Sequence, residues 1–195
     1  MVLGRTYSNL STAESWNDRY LRDEHWADAP LAFIVRCVAE GRGRRALDLA
    51  CGTGRHALLL ASRGWRVTAV DWSSVALARL AGRVDSTVQA DLEDGEFTIE
   101  PGAWDLICVT NFLHRPLIPA IRAGMRPGGL VLAAFPMEDE RPGIRPMNPA
   151  YLLRRGELAG WFADFEIVHS AEVEDSPASR RRAELAGYSA ASLRA

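Results

Sequence analysis

The residues most suited to binding a ligand lie in the stretch 46–56, where a short apolar run enters a turn that contains two glycines. The pattern predicts a buried strand, a tight loop and the start of a helix. Gly52 and Gly54 leave the loop without side-chain bulk, so a ligand can approach its backbone closely. Unpaired N–H groups where the helix begins, near Arg55, favour a carboxylate or phosphate. Because Asp48 precedes the loop and can meet a cation, the turn suits a ligand with both an ammonium and a carboxylate.

The loop alone leaves the class of ligand open. Residues 52–57 also satisfy the G-x-G-x-x-G/A pattern of dinucleotide-binding proteins. A nicotinamide or flavin site, a methyl-donor site and a purely structural turn are all compatible with this stretch. The rest of the chain has to discriminate among them.

Length and composition indicate one globular domain. The chain has 195 residues, 48% of them hydrophobic, and a formal net charge of −2. All 23 basic residues are arginine, yet no arginine cluster is interleaved with aromatic residues, so we expect no nucleic-acid partner. No run of about 18 apolar residues exists, so we expect no membrane span. We interpret 1–195 as a single domain in which 1–29 form an N-terminal lid segment.

The cysteines favour a reducing compartment. Cys37, Cys51 and Cys108 lie far apart and show no metal-ligand spacing. An odd number of cysteines in a chain without an apolar secretory start is typical of free thiols in a cytoplasm. We therefore expect a cytoplasmic protein without a bound metal, either a monomer or a homodimer.

Apolar runs alternate with helical patterns, which predicts a mostly parallel sheet covered by helices on both faces. After the opening strand, further strands are predicted at 65–70, 86–90, 105–110, 130–135, 165–171 and 181–189. Helices are predicted at 30–40, 55–63, 73–83, 116–125 and 155–163. Residues 126–129 predict a turn, and 181–189 predict an edge strand of weak propensity. The proline-rich stretch 136–149 predicts a loop on the substrate side.

The N-terminal region predicts a short aromatic helix. Ser11 and Glu14 have the spacing of a capping box at its start. Trp16 and Tyr20 are four residues apart and therefore share a face of this helix. Two interpretations are open: the rings pack on the domain, or they form a lid over a ligand.

Polar residues follow four successive predicted strands. They are Asp48, Asp71, Asp91, Asn111 and His114. In a parallel sheet, ligands bind at the carboxyl ends of the strands, where these residues fall. Acidic residues scattered over a surface would not fall at successive strand ends. The pattern therefore predicts one shared pocket.

The same residues suggest contacts to an adenosine group. Asp71 can accept both hydroxyls of a ribose, and the neighbouring Trp72 offers an aromatic face to an adenine. Asp91 can accept a hydrogen bond from the adenine amino group, and the Leu92 N–H can meet a ring nitrogen. For each acid taken singly, a helix N-cap or a solvated loop charge is the alternative.

Five segments match the motifs of one known family: 47–54, 67–71, 90–92, 104–107 and 126–130. Through them, residues 16–172 resemble the class I methyltransferases that use S-adenosylmethionine (SAM), above all their tellurite-resistance-type small-molecule members. The resemblance implies a Rossmann-like three-layer α/β/α sandwich. Its seven-stranded, mostly parallel sheet has the order 3-2-1-4-5-7-6, with strand 7 antiparallel. Ala50 replaces the first glycine of the family's first motif.

The resemblance also implies SAM as the cofactor and a set of residues that contact it. These residues are Asp48, Ala50, Cys51, Gly52, Gly54, Asp71, Trp72, Asp91, Leu92, Asn111, Trp16 and Tyr20. The glycines would face the methionine part of SAM, whose amino group Asp48 would hold through water. A side chain at Gly54 is expected to occupy the cofactor's space. Trp16 and Tyr20 would close over the cofactor.

The chemistry expected of this site is in-line transfer of a methyl group to a small nucleophile. The sulfonium already activates the methyl group, so the protein has to align donor and acceptor and exclude water. A general base is optional, and His114 and Arg115 are the nearest candidates to assist or to bind an anionic acceptor. Packing at a helix start is the alternative for His114. Two other functions are compatible with the loop: a nicotinamide-dependent oxidoreductase and a non-catalytic SAM-binding partner protein.

Overall fold

The computed structural model of the chain describes residues 12–22 and 29–190. Within these ranges the strands are β1 (Arg45–Leu49), β2 (Arg66–Asp71), β3 (Ser86–Gln89), β4 (Trp104–Thr110), β5 (Met125–Pro136), β6 (Glu166–Val173) and β7 (Arg182–Tyr188). The α-helices are α1 (Ala13–Leu21), α2 (Ala32–Cys37), α3 (Arg55–Ser62), α4 (Ser74–Ala78), α5 (Ile118–Gly124) and α6 (Glu157–Trp161). Short 3₁₀ helices span Arg115–Leu117 and Pro149–Tyr151. None of the described helices has the length and apolar composition that crossing a bilayer requires.

The strands form a seven-stranded sheet in the order β3-β2-β1-β4-β5-β7-β6. Neighbouring strands are parallel except β7, which runs antiparallel to β5 and β6. The predicted fold class is therefore confirmed, including the central antiparallel strand that the family resemblance implied.

Two hydrophobic cores lie on opposite faces of the sheet. Alternate residues of a strand point to opposite faces, so Leu47 and Leu49 enter the core beneath α5 and α6. Ala46 enters the core beneath α2, α3 and α4, and Asp48 points to this same face. The chain thus places a carboxylate on a face that is otherwise packed with apolar side chains.

The prediction that 181–189 form an edge strand is wrong. Strand β7 is paired on both sides and largely buried, whereas β6 forms the edge. Its small residues explain this position, because a Cβ added at Gly187 would lie 2.9 Å from Ile167 Cδ1. Pairing on both sides outweighs the weak intrinsic strand propensity of this sequence.

The turn predicted at 126–129 is instead an irregularity within β5. The pairing with β4 moves from Trp104 opposite Met125 to Leu106 opposite Leu130, so extra residues bulge from the strand. This bulge is held from the other side, where the Ser189 N–H donates to the Gly129 carbonyl at 2.9 Å.

Several helices are shorter than predicted, and the N-cap of α1 lies one residue later than predicted, at Thr12 instead of Ser11. The capping box consists of Thr12 and Ser15, each hydroxyl accepting the other residue's N–H at 3.1 and 3.0 Å. Ser11 lies outside the described residues, and Glu14 takes no part in the box. A serine at the third helical position replaces the expected glutamate, which moves the cap by one residue.

We expect Ser73→Ala to lower the free energy of unfolding by about 1–2 kcal/mol. The Ser73 hydroxyl accepts the Ala76 N–H at 3.1 Å as the N-cap of α4, and donates to Asn17 Oδ1 of α1 at 2.6 Å. Urea unfolding measures the loss. Ser74→Ala, at the exposed next position, is the matched control and should change stability by less than about 0.5 kcal/mol. Equal losses in both variants would contradict the assignment.

Candidate functional site

The glycine loop that follows β1 is bonded directly to the end of β2. The Cys51 N–H donates to the Val70 carbonyl at 3.0 Å, and the Gly52 N–H donates to Asp71 Oδ2 at 2.7 Å. Strands β1 to β4 are parallel neighbours in the sheet. The predicted site residues at their carboxyl ends therefore lie along one edge of the sheet, as the sequence pattern implied.

Asp71 organises this edge through both of its oxygens. Oδ2 accepts the Gly52 N–H, and Oδ1 accepts the Ser73 N–H at 2.9 Å. Burial raises the pKa of Asp71, and the N–H groups of Ser73, Gly52 and Trp72 oppose that shift. Sequence reasoning missed this role of Asp71 in holding the loop. Each oxygen retains a second lone pair for a ligand.

Asp48 is a carboxyl group under the loop with an unsatisfied oxygen. The residue is 1% exposed, and its Oδ2 has no hydrogen-bond partner within the described chain. Burial raises its pKa to about 7, although the Cys108 thiol and the Ala57 N–H oppose the shift. Buried polar atoms in native proteins are nearly always paired, so this oxygen calls for a donor such as an ammonium group.

His56 and Cys108 lie beside Asp48, with one potential ligand atom of each of the three residues within 4.8 Å of the others. Burial lowers the pKa of His56 to about 3, so the imidazole is neutral. Its Nε2 accepts the Leu31 N–H at 3.3 Å, which leaves the Nδ1 proton to face Thr110 Oγ1, also at 3.3 Å. Both ring nitrogens thus have partners, which tie α3 to the start of α2 and to the end of β4. The grouping was missed because its members lie on separate elements.

Two residues at the site have left-handed backbone without being glycine. Ala50 has φ 51°, and Asn111, after β4, has φ 58°. An alanine in this region costs about 1–2 kcal/mol, whereas asparagine tolerates it better. Such strain concentrates at binding and catalytic sites. Both residues follow strands of the predicted site edge.

The two loop glycines face different surroundings. A Cβ at Gly54 would lie 2.2 Å from Leu80 Cδ2, so a side chain there collides with the core. We expected a side chain at Gly54 to occupy the cofactor's space, and this is wrong for the Cβ, which points into the core instead. A Cβ at Gly52 would lie 2.8 Å from the Tyr20 hydroxyl. Gly52 therefore faces α1. The absence of a side chain at Gly54 allows the start of α3 to pack closely against Leu80, in the segment after α4.

Helix α1 lies against the loop. Tyr20 is buried beside Gly52, and burial together with the charge of Asp71 raises its pKa. Trp16 stacks on Tyr20 with ring centroids 6.1 Å apart. Arg79 of the segment after α4 donates to the Tyr20 carbonyl at 2.7 Å. The two aromatic rings are thus held at the loop by contacts to the α4 region.

The residues expected at the adenine end lie after β2 and β3. Trp72 is half-buried, and Leu92 is buried in the core. Asp91 is half-buried, and its Oδ1 accepts the Glu93 N–H at 2.8 Å. Asp91 thus stabilises its own turn, which is close to the alternative of a loop carboxylate that the sequence left open.

Arg115 is committed to structure. Its guanidinium donates to both Glu157 oxygens at 2.6 and 3.0 Å, and to the carbonyls of Ala150 and Leu152 at 2.8 and 2.9 Å. It therefore ties the end of the proline-rich loop to α6, which is a correction to its candidacy as a catalytic residue. His114 is half-buried against Phe112, with ring centroids 6.4 Å apart.

Comparisons with known proteins support a methyltransferase. A family profile described as "Methyltransferase domain" matches residues 46–129. Trans-aconitate 2-methyltransferase of Delftia acidovorans is 32% identical over 170 residues, which is 80% of this chain and 63% of that protein. Hemagglutinin 1 of Eikenella corrodens is 32% identical over 164 residues, 78% of this chain and 54% of that protein. The chain thus spans little more than half the length of such relatives.

A solved structure shares the fold. TehB from Haemophilus influenzae superposes with a TM-score of 0.69 at 21% identity, covering 89% of this chain and 67% of that one. This likeness confirms the fold that the resemblance implied, and the family profile matches the stretch that carries most of its motifs.

We expect Gly54→Ala to lower the free energy of unfolding by about 2–4 kcal/mol, from a left-handed alanine and overpacking against Leu80. Gly64→Ala is the matched control: its φ is also positive, 74°, but the nearest atom to an added Cβ is 3.7 Å away. The control should lose only about 1–2 kcal/mol in urea unfolding. Equal losses would show that Leu80 does not limit the loop.

Proposed function

We propose that this chain, which carries a class I methyltransferase domain, transfers a methyl group from SAM to a nucleophilic atom of a small molecule. The observation that carries the proposal is the unpaired Oδ2 of Asp48, buried under a glycine loop. An acceptor in that position fits the ammonium group of the SAM methionine. The small-molecule class is supported by the relative that is named for trans-aconitate.

The described residues fit the remainder of the cofactor. Asp71 would accept the ribose hydroxyls with its free lone pairs while it continues to hold the Gly52 N–H. Trp72, Asp91 and Leu92 would meet the adenine ring, since they follow the next two strands. Tyr20 would cover the bound cofactor from α1.

When bound, SAM supplies a methyl group that its sulfonium has already activated. The chain's own contribution is to position both partners and to keep water away. The acceptor would lie at the end of β4, near Asn111 and His114, beneath the proline-rich loop 136–149. His114 is the remaining candidate for holding a proton, because the donors of Arg115 are occupied by Glu157 and by carbonyls.

The function is tested by titrating the chain with SAM, S-adenosylhomocysteine (SAH) and NAD in a calorimeter. We expect SAM and SAH to bind in the micromolar range and NAD not to bind. Labelled methyl groups from SAM are then offered to a panel of small oxygen, nitrogen and sulfur nucleophiles. Tight NAD binding without SAM binding would overturn the proposal. SAM binding without transfer to any acceptor would favour a non-catalytic SAM-binding protein.

We expect Asp71→Ala to weaken SAH binding more than tenfold, because charge-assisted hydrogen bonds to the ribose contribute about 2–3 kcal/mol. Calorimetry measures the affinity. Urea unfolding of the same variant shows whether loss of the Gly52 contact has also loosened the fold. Glu93→Gln, at an exposed acid of the next loop, is the control and should bind SAH as the unchanged chain does. Unchanged binding in Asp71→Ala would contradict the ribose assignment.

SAH affinity should rise with pH across the raised pKa of Asp48, about 7, because an ammonium ligand needs the ionised carboxylate. Folding stability should move the opposite way. The folded pKa exceeds the unfolded one, so the carboxyl favours folding below about pH 4, and that contribution is lost as the pH rises to about 7.

Asp48→Asn isolates both effects, because the ligand's own titration is common to the two proteins. We expect the variant to bind SAH weakly, with a flatter pH profile, and to lose less stability between about pH 4 and pH 7. Calorimetry and urea unfolding at several pH values measure the two profiles. Identical profiles for the variant and the unchanged chain would show that Asp48 neither binds the ammonium group nor is strained by burial.

A further inference from the structure

Arg55 carries a half-buried guanidinium that has no hydrogen-bond or ion-pair partner among the described residues. It is the first residue of α3, directly after Gly54 of the loop. Within residues 12–22 and 29–190 it makes no side-chain hydrogen bond or ion pair. The other half-buried arginines of these ranges all have acceptors. Five pair with carboxylates, namely Arg45, Arg115, Arg122, Arg141 and Arg182, whereas Arg63 and Arg180 donate to carbonyls. A guanidinium carries five N–H donors, and partial burial without acceptors is unfavourable.

The charged neighbour Arg182 does not stabilise the guanidinium of Arg55, because both groups are cations. Arg182 lies close enough to lower the pKa of Arg55, in addition to the larger effect of burial. The charge of Arg182 is itself balanced by Asp175 and Glu184. Arg55 is therefore a cation beside the loop that makes no ion pair with a described residue.

Asp48 is the anionic group that acts on Arg55, yet no hydrogen bond joins them. Cys108 and Tyr20 also lie within electrostatic range, but both are neutral because burial raises the pKa of each. The loop thus presents an unpaired carboxylate oxygen and an unpaired guanidinium near each other. These two groups are complementary in charge to a ligand that carries both an ammonium and a carboxylate.

Building on the proposed function, we propose that Arg55 binds a carboxylate at the loop, next to the ammonium position at Asp48. Two ligands can supply that carboxylate: the methionine end of SAM, or an anionic methyl acceptor. In either case Arg55 is a binding residue that discriminates by charge, and its N–H donors gain the acceptors that the described protein does not provide.

The cofactor source is tested by calorimetry on Arg55→Gln with two ligands. SAH carries the amino acid group, and 5′-methylthioadenosine lacks it. If Arg55 holds the cofactor's carboxylate, SAH affinity falls about tenfold to hundredfold while that of methylthioadenosine is unchanged. Arg66→Gln is the matched control. Arg66 is exposed and is the first residue of β2, so it lies at the amino end of the parallel strands, away from the loop. It should change neither affinity.

The acceptor source is tested with malonate, added to chains that are saturated with SAH. If Arg55→Gln binds SAH normally, but malonate binds the unchanged chain and not the variant, the carboxylate belongs to the acceptor. Unchanged SAH binding without an Arg55-dependent malonate site overturns the inference. So does a loss of methylthioadenosine binding, which would mark a disturbed loop. Failure of the unchanged chain to bind SAH would instead refute the proposed function.

Discussion

The hydrogen bond from the Gly52 N–H to the Asp71 carboxylate is the contact on which the site depends. It joins the loop after β1 to the end of β2 at 2.7 Å. Asp71 also accepts the Ser73 N–H at the start of α4, against which α1 packs through Asn17. One buried carboxylate therefore sets the position of the loop, of α4 and of the aromatic face of α1. The geometry of a ligand site follows from this single group.

The fold could be predicted from the sequence because its signals are local. Buried apolar runs punctuated by glycine mark the parallel strands, and the family resemblance carried by the motifs implied their order. For β7 the local pattern was misleading, because its alanines and glycine are weak strand formers and predicted an edge strand; only the family resemblance implied its central position. Its place in the sheet depends on β5 and β6, which pair with it from both sides. The bulge at 126–129 depends likewise on a partner, Ser189, far along the chain.

The candidate site divides along the same line. The strand-end rule placed Asp48, Asp71 and Asp91 at one edge, because position in a parallel sheet is a property of the pattern. What each side chain contacts is a property of its neighbours. The sequence could not show that Arg115 is held by Glu157, or that a Cβ at Gly54 meets Leu80. The sequence likewise gave no sign that Arg55, the first residue of α3, has no partner among the described residues.

The electrostatics of the loop favour ligand binding over stability. Asp48 is buried with one unpaired oxygen and a raised pKa, and Arg55 is half-buried and makes no ion pair with a described residue. Hydrophobic residues at both positions would pack the same face without that cost. Groups of this kind stabilise a protein only when a ligand completes them, and binding to the folded state then offsets the penalty. A zwitterionic ligand, as proposed, would complete both groups at once and would therefore stabilise the folded chain.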